Sequence, residues 1–256
     1  MLELKSSRWA ELTHAHGDAS DIPEVLERLS AGDESAVGDL ASALCHQGSV
    51  YGASLAVVPH LVNIAQRIED VELRANTLVL VGLIASSSHN RSEGHLASDI
   101  DAAYRAALPH ASTLAVATLK QAFEPYDAVY LLQTAAWLNG FSTLGRVLSA
   151  FLDEEFTVAC PKCECELYVW PNEDEAGFST ASEDPIDSPT APRTPIIAGP
   201  NPGSAHETQY QWLLEVGGES ALSVIGLQLP YLFGTGSCPA CNAPFTLLDQ
   251  LGEQPA

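Results

Sequence analysis

From the start of the chain to about residue 153, apolar residues recur at intervals of three and four, and no stretch alternates apolar with polar as a half-buried strand would. The spacing predicts a first helix carrying Trp9 and Leu12, stopped by Gly17. Asp21 is placed to cap a short helix whose inner face is Ile22, Val25, Leu26 and Leu29, with Pro23 in the tolerant first turn. Asp33 caps the next, with a stripe of Val37, Leu40, Ala41, Leu44 and Cys45, ended by Gly48. A third helix is expected from Tyr51 to Ile68, kinked or broken at Pro59. Asn76 to Ala85 is apolar nearly all round, as in a helix buried on most sides. After a polar loop, Ser86 to Asn90, Ile100, Ala103, Tyr104 and Ala107 start another helix, which Pro109 should interrupt and Pro125 should break again. Stripes through Ala128–Leu138 and Leu144–Phe151 complete the set.

Within these stripes Trp9, Trp137 and Cys45 read as core residues. His14 and His16 beside Gly17, and His46 beside Gln47-Gly48, read as residues that close helix C-termini and interact with the dipole. Consecutive helices fall into pairs of roughly 30 to 45 residues joined by short turns, the size range of helical repeats. A single pair cannot bury its apolar face, whereas stacked pairs share a continuous core, so the expected architecture over residues 1–153 is an α-solenoid. Trp9-x-x-Leu12-Thr13-His14-Ala15-x-Gly17, Asp21-Ile22-Pro23, His46-Gln47-Gly48-Ser49-Val50-Tyr51 with Ala53-Ser54, and Val58-Pro59-His60-Leu61 resemble uncharacterised bacterial proteins described as HEAT-repeat domain-containing. The resemblance covers about residues 1–150. It implies a stack of helix pairs and a binding-type role, with no particular activity.

The pattern changes at residue 154. Phe156-Thr157-Val158 and Leu167-Tyr168-Val169-Trp170 are strand-like and flank Cys160-Pro161-Lys162-Cys163, while Phe245-Thr246-Leu247-Leu248 follows Cys238-Pro239-Ala240-Cys241. Two C-x-x-C turns supply four thiolates, the ligand set that suits a structural zinc ion, so Cys160, Cys163, Cys238 and Cys241 are the expected metal ligands in a zinc-ribbon-like module. Cys165 lies close enough to compete with Cys163, and Glu164 stands where such turns usually carry glycine. A redox dithiol or a disulfide framework would use the same residue type, but a redox motif needs only one C-x-x-C. The 74 residues between the turns are tolerable because closure entropy grows only logarithmically with loop length.

Residues 171–207 hold seven prolines and seven acidic residues, a composition expected to remain disordered inside the module, with Pro-rich docking as an alternative use. Residues 208–230 then predict a helical hairpin. Asp153-Glu154-Glu155 reads as a solvated acidic turn rather than a catalytic carboxylate pair. With 11 basic residues against 33 acidic ones and a net charge of −22, nucleic acid and anionic membranes are poor partners, and a basic protein is a compatible one. The opening residues carry no apolar leader, and paired C-x-x-C turns suit a reducing cytoplasm. No metalloprotease, hydrolase-elbow or phosphate-loop motif is present. The expected function is therefore a non-catalytic interaction scaffold with a structural zinc site, of inhibitor or immunity type in its sharper form. An enzyme with a cleft between the helical domain (1–153) and the zinc module (154–256) is the alternative.

Overall fold

The structure, a computed structural model, describes residues 1–87, 97–152, 156–172 and 176–253. The Asp153–Glu155 turn and the end of the Ser86–Asn90 loop lie outside the described residues. The chain is mainly α, with small antiparallel sheets. It opens with a 3-10 turn, Ser7–Glu11, and a hairpin of β1 (Thr13–His14) and β2 (Gly17–Asp18), followed by α1 (Ile22–Ser30) and α2 (Ser35–Leu44). A second hairpin, β3 (Cys45–His46) and β4 (Ser49–Val50), leads to α3 (Gly52–Ala65), α4 (Val71–Ser86), α5 (Ser98–Leu119), α6 (Pro125–Leu138) and the short α7 (Leu144–Val147). Helices α1, α3 and α5 lie side by side in one layer, and α2, α4 and α6 in a second, with α1 on α2, α3 on α4 and α5 on α6 across the layers.

Packing decides several points that local propensity leaves open. Neither Pro59, where a kink or a break is expected, nor Pro109, where an interruption is expected, ends its helix: α3 and α5 run through them. In α3, thirteen of the 14 residues are buried, so contact with both layers outweighs the missing N–H at Pro59. Pro125 starts α6 at the position where its ring fits. Close approach of α4 to α6 depends on Gly82, where a Cβ would overlap the buried Thr134 side chain.

The two histidine motifs are hairpins and not helix ends. Gln47 and Gly48 both have positive φ, 49° and 72°, which turns the chain back on itself as a two-residue hairpin loop requires. The Ala15 N–H donates to Ala43 O, joining the first hairpin to the end of α2, and the His16 and His46 rings stand 6.1 Å apart. His14 Nδ1 accepts the His16 N–H, so its Nε2 carries the proton and donates to Asp21 at 3.1 Å. Asp21 is thereby taken away from capping α1, where it makes no side-chain bond. Asp33 does accept the Ser35 N–H at the start of α2.

The N-terminal segment is strapped down by buried Leu2 and Trp9: Trp9 Nε1 donates to Glu3 O, and His60 Nε2, 7 % exposed, donates to Leu2 O at 2.8 Å. Burial lowers the His60 pKa from 6.5, against a smaller opposing effect of the Leu2 carbonyl. The folded state therefore keeps His60 neutral while the unfolded chain takes up a proton as pH falls through 6.5. Stability contributed here is expected to be full above that pH and to fall below it, levelling off under the folded pKa. Urea midpoints at about pH 7.5 and about pH 5.5 should lie closer together in His60→Asn, which keeps a donor toward Leu2 O, than in the native chain; equal gaps would refute the assignment.

The C-terminal part begins with a four-stranded antiparallel sheet in the order β5 (Phe156–Ala159), β6 (Glu166–Pro171), β7 (Phe178–Ala181) and β8 (Thr194–Pro195). Two of these strands fall within 171–207, so the described part of that stretch is not the disordered insertion expected from its composition. Phe178 (0 % exposed) and Ile196 (3 %) are buried, and the Ile196 N–H donates to Phe178 O. Few apolar residues suffice because they join a core that other elements provide. Helices α8 (Glu207–Val216) and α9 (Gly218–Ile225) form the expected hairpin, followed by α10 (Leu229–Leu232), the hairpin β9 (Thr235–Ser237) and β10 (Pro244–Thr246), and α11 (Leu247–Glu253). Helix α9 packs on α6, extending the α2, α4, α6 layer by one.

Two buried clusters result. One joins α1, α2, most of α3 and α4 and the first half of α5, from Leu2 to Ala111. The other takes in Ala65 of α3 and Ala75 and Leu78 of α4 and runs from the second half of α5 and α6 through the sheet to Leu251. No described helix is long and apolar enough to cross a membrane.

Candidate metal centre

The loop between β5 and β6 and the loop between β9 and β10 face each other, and each is a C-P-x-C turn. Their backbones match. In the first, Cys160 N–H donates to Cys165 O at 2.9 Å and Glu164 N–H to Cys160 O at 3.0 Å. In the second, Cys238 N–H donates to Ala243 O at 2.9 Å and Asn242 N–H to Cys238 O at 2.8 Å. The residue after the second cysteine takes φ 58° in both, Glu164 in one and Asn242 in the other. Asn adopts this conformation readily, whereas Glu bears a strain of about 1–2 kcal/mol. The paired strands on either side hold it there.

The sulfurs of Cys160, Cys163, Cys165 and Cys238 all lie within 4.8 Å of one another. Cys241 joins them, with its Sγ 3.6 Å from that of Cys160. Cys163 and Cys238 are 3.8 Å apart, Cys165 and Cys238 3.6 Å, and Cys163 and Cys165 3.3 Å. A tetrahedron of thiolates with Zn–S bonds of about 2.3 Å has edges of about 3.8 Å. The contacts between the two turns meet this spacing, and the Cys163–Cys165 contact within the first turn falls short of it. Three of the four cysteines expected from the sequence, Cys160, Cys163 and Cys238, thus share the mutually close group with Cys165, while Cys241 lies outside that group and touches it through Cys160. Cys160 and Cys238 are buried at 1 % and 0 % exposure, and Cys163 is exposed.

The close thiols shift one another's ionisation in opposite directions. The Cys165 backbone N–H, followed by the thiols of Cys165, Cys160 and Cys241, holds Cys163 down to about 6. Cys165 is pushed up to about 12 by Cys163, by burial and by Cys238. Burial raises Cys238, but the N–H groups of Cys241 and Ala240 with the Cys165 and Cys160 thiols lower it on balance. Cys241 rises to about 12: the Ala243 N–H lowers it, and burial with the Cys163, Cys160 and Cys238 thiols outweighs that. A divalent cation would reverse this competition by stabilising every coordinated thiolate.

The sixth cysteine, Cys45, is separate from the group. Its thiol lies 3.9 Å from Ser87 Oγ, it packs against the N-terminal core, and burial raises its pKa. The sequence makes Cys165 only a competitor of Cys163; its return toward the other sulfurs follows from the Cys160–Cys165 backbone bond that closes the turn. No protein-family model, curated protein or solved structure matches the chain.

Proposed function

We propose that the chain is a non-catalytic protein-interaction scaffold, a HEAT-like α-solenoid closed at its C-terminal end by a module built around a structural zinc ion. The observation that carries the metal assignment is the match between the two turns in hydrogen bonding and in positive φ. Under that match Cys160 corresponds to Cys238 and Cys163 to Cys241, while Cys165 corresponds to Ala243, a residue with no ligand atom. Zinc is therefore held by Cys160, Cys163, Cys238 and Cys241, with the Cys165 sulfur beside that of Cys163 at 3.3 Å. Four thiolates leave no open coordination position, so the ion folds the module and performs no chemistry on a substrate. A thiolate centre of this kind suits a reducing compartment, and cytoplasm is the expected location.

The two-layer stack of helix pairs supports the scaffold reading, because such stacks present extended surfaces rather than deep pockets. The excess of acidic residues favours a basic protein as partner, as an inhibitor or immunity-type factor would need. Elemental analysis tests the centre. About one zinc per chain is expected in the native protein and in Cys165→Ser, with loss of stoichiometric zinc in Cys241→Ser. Zinc retained by Cys241→Ser and lost by Cys165→Ser would transfer the fourth ligand to Cys165. A native chain purified under reducing conditions without metal would overturn the centre itself.

A further inference from the structure

A furrow of about 380 Å³ runs between α2 and α4 on the outer face of their layer. Its floor is apolar: Val37 and Ala41 from α2, and Val79, Leu80 and Leu83 from α4. Leu83 is 43 % exposed, although it sits in a helix that is otherwise mostly buried. The end nearest the helix N-termini is acidic, with Glu34, Asp70 and Glu72. On α6, which packs beside α4, Tyr126 and Tyr130, one turn apart, are 56 % and 43 % exposed. Three of the eight large apolar side chains exposed among the described residues thus lie on α4 and α6.

The charges on this face are one-sided. Helices α2, α4 and α6 contain a single basic residue, Arg74, and its guanidinium is occupied by Ile68 O and Gln121 Oε1. None of Glu34, Asp70, Glu72, Glu124 and Asp127 forms an ion pair among the described residues. Elsewhere arginines are used for pairing: Arg28 bridges Asp33 and Asp39, and Arg8 holds Asp99. Capping accounts for Asp70, which accepts the Leu73 N–H, and for Glu124, which accepts the Asp127 N–H. It does not account for Glu34, which makes no cap bond. Asp127 of α6, which hydrogen-bonds Asn76 in the furrow lining, has its pKa raised by burial first and by Glu124 second, against a lowering by Asn76.

We infer that this furrow docks a cationic amphipathic helix of a partner protein. Apolar residues of the guest at i, i+3 or i+4, and i+7 would lie along Ala41, Leu80 and Leu83, and Lys or Arg at one end would meet Glu34, Asp70 and Glu72. Helix α2, at 10 residues, is about 15 Å long, so the furrow accepts roughly three turns of guest helix. The net charge of −22 would steer such a guest toward the chain, and the unpaired acids would fix its register. The inference rests on the interaction-scaffold reading and adds the surface and the chemistry of the guest.

The test uses the full-length protein and a fluorescein-labelled Leu/Lys helical peptide of about 18 residues, beside a scrambled peptide of equal charge that cannot form an apolar face. Anisotropy should show binding of the amphipathic peptide only, weakening as salt rises from about 50 to about 300 mM. Glu34→Lys/Glu72→Lys should weaken binding at least about tenfold. The control Glu11→Lys/Glu24→Lys makes the same change in net charge at exposed positions outside the furrow and should leave binding within about twofold. Equal loss in both double variants, or equal binding of both peptides, would overturn the furrow and leave the scaffold reading standing. Failure of both peptides to bind would remove the cationic guest altogether, and the zinc content of the same preparation would report separately on the C-terminal module.

Discussion

If zinc fills the centre as proposed, chelating it is expected to unfold the C-terminal third and leave the N-terminal helices folded. A structural zinc ion contributes roughly 10–16 kcal/mol of apparent binding free energy at neutral pH. A whole domain is stable by only about 5–15 kcal/mol. The elements the ion would hold are weak by themselves: β9 and β10 have three residues each, and β5 has four. Cys160 and Cys238 are also buried, so the empty centre would leave five thiols and their charges facing one another in the second core. The first core, from Leu2 to Ala111, contains none of these sulfurs. Hydrogen exchange read by mass spectrometry should therefore show peptides over 156–172 and 235–248 losing protection after chelation, while those over 22–65 keep theirs. Unchanged protection in the verified metal-free protein would refute the dependence.

Gly218→Ala is expected to destabilise the junction between module and stack by about 2–5 kcal/mol, a fall in Tm on the order of 10 °C for a chain of this size. Gly218 has φ +66°, where a non-glycine residue costs about 1–2 kcal/mol. A Cβ there would also overlap the Leu119 carbonyl oxygen at the end of α5, and overpacking of this kind costs about 1–3 kcal/mol. The carbonyl belongs to backbone and cannot rotate away. Gly218 opens α9, the helix that packs on α6, and two residues later Ser220 Oγ accepts the Phe123 N–H at 3.3 Å. Gly203→Ala is the matched control, because φ there is +76° with no atom within 4 Å of the added Cβ. Denaturant midpoints of the two variants separate backbone strain from steric contact. Equal losses would show that the approach of α9 to α5 contributes nothing.

Much of this molecule follows from local pattern. The apolar stripes located the main helices between Ile22 and Leu138 because a helical period puts every third or fourth residue on one buried face. The Cys-Pro-x-Cys pairs were legible because a turn of that length brings two sulfurs to one point whatever surrounds it. The histidine hairpins were not legible. Thr13-His14 and Cys45-His46 pair for only two residues each, too short for alternation to register, and positive φ at Gln47 has no signal in a residue of that type. Composition misjudged the described part of 171–207 because it counts the segment's own apolar residues and not the core awaiting them.

The sequence by itself determined a mainly α chain, its helix faces, its acidic excess and the two sulfur-bearing turns, since each depends on contacts within a few residues. Tertiary structure alone decided the rest: that α3 and α5 continue through proline, that Cys165 enters the sulfur group, that Phe178 and Ile196 order a proline-rich segment, and that Glu34, Glu72 and Leu83 share one furrow. These outcomes depend on neighbours distant in the chain, and burial against them outweighs local propensity.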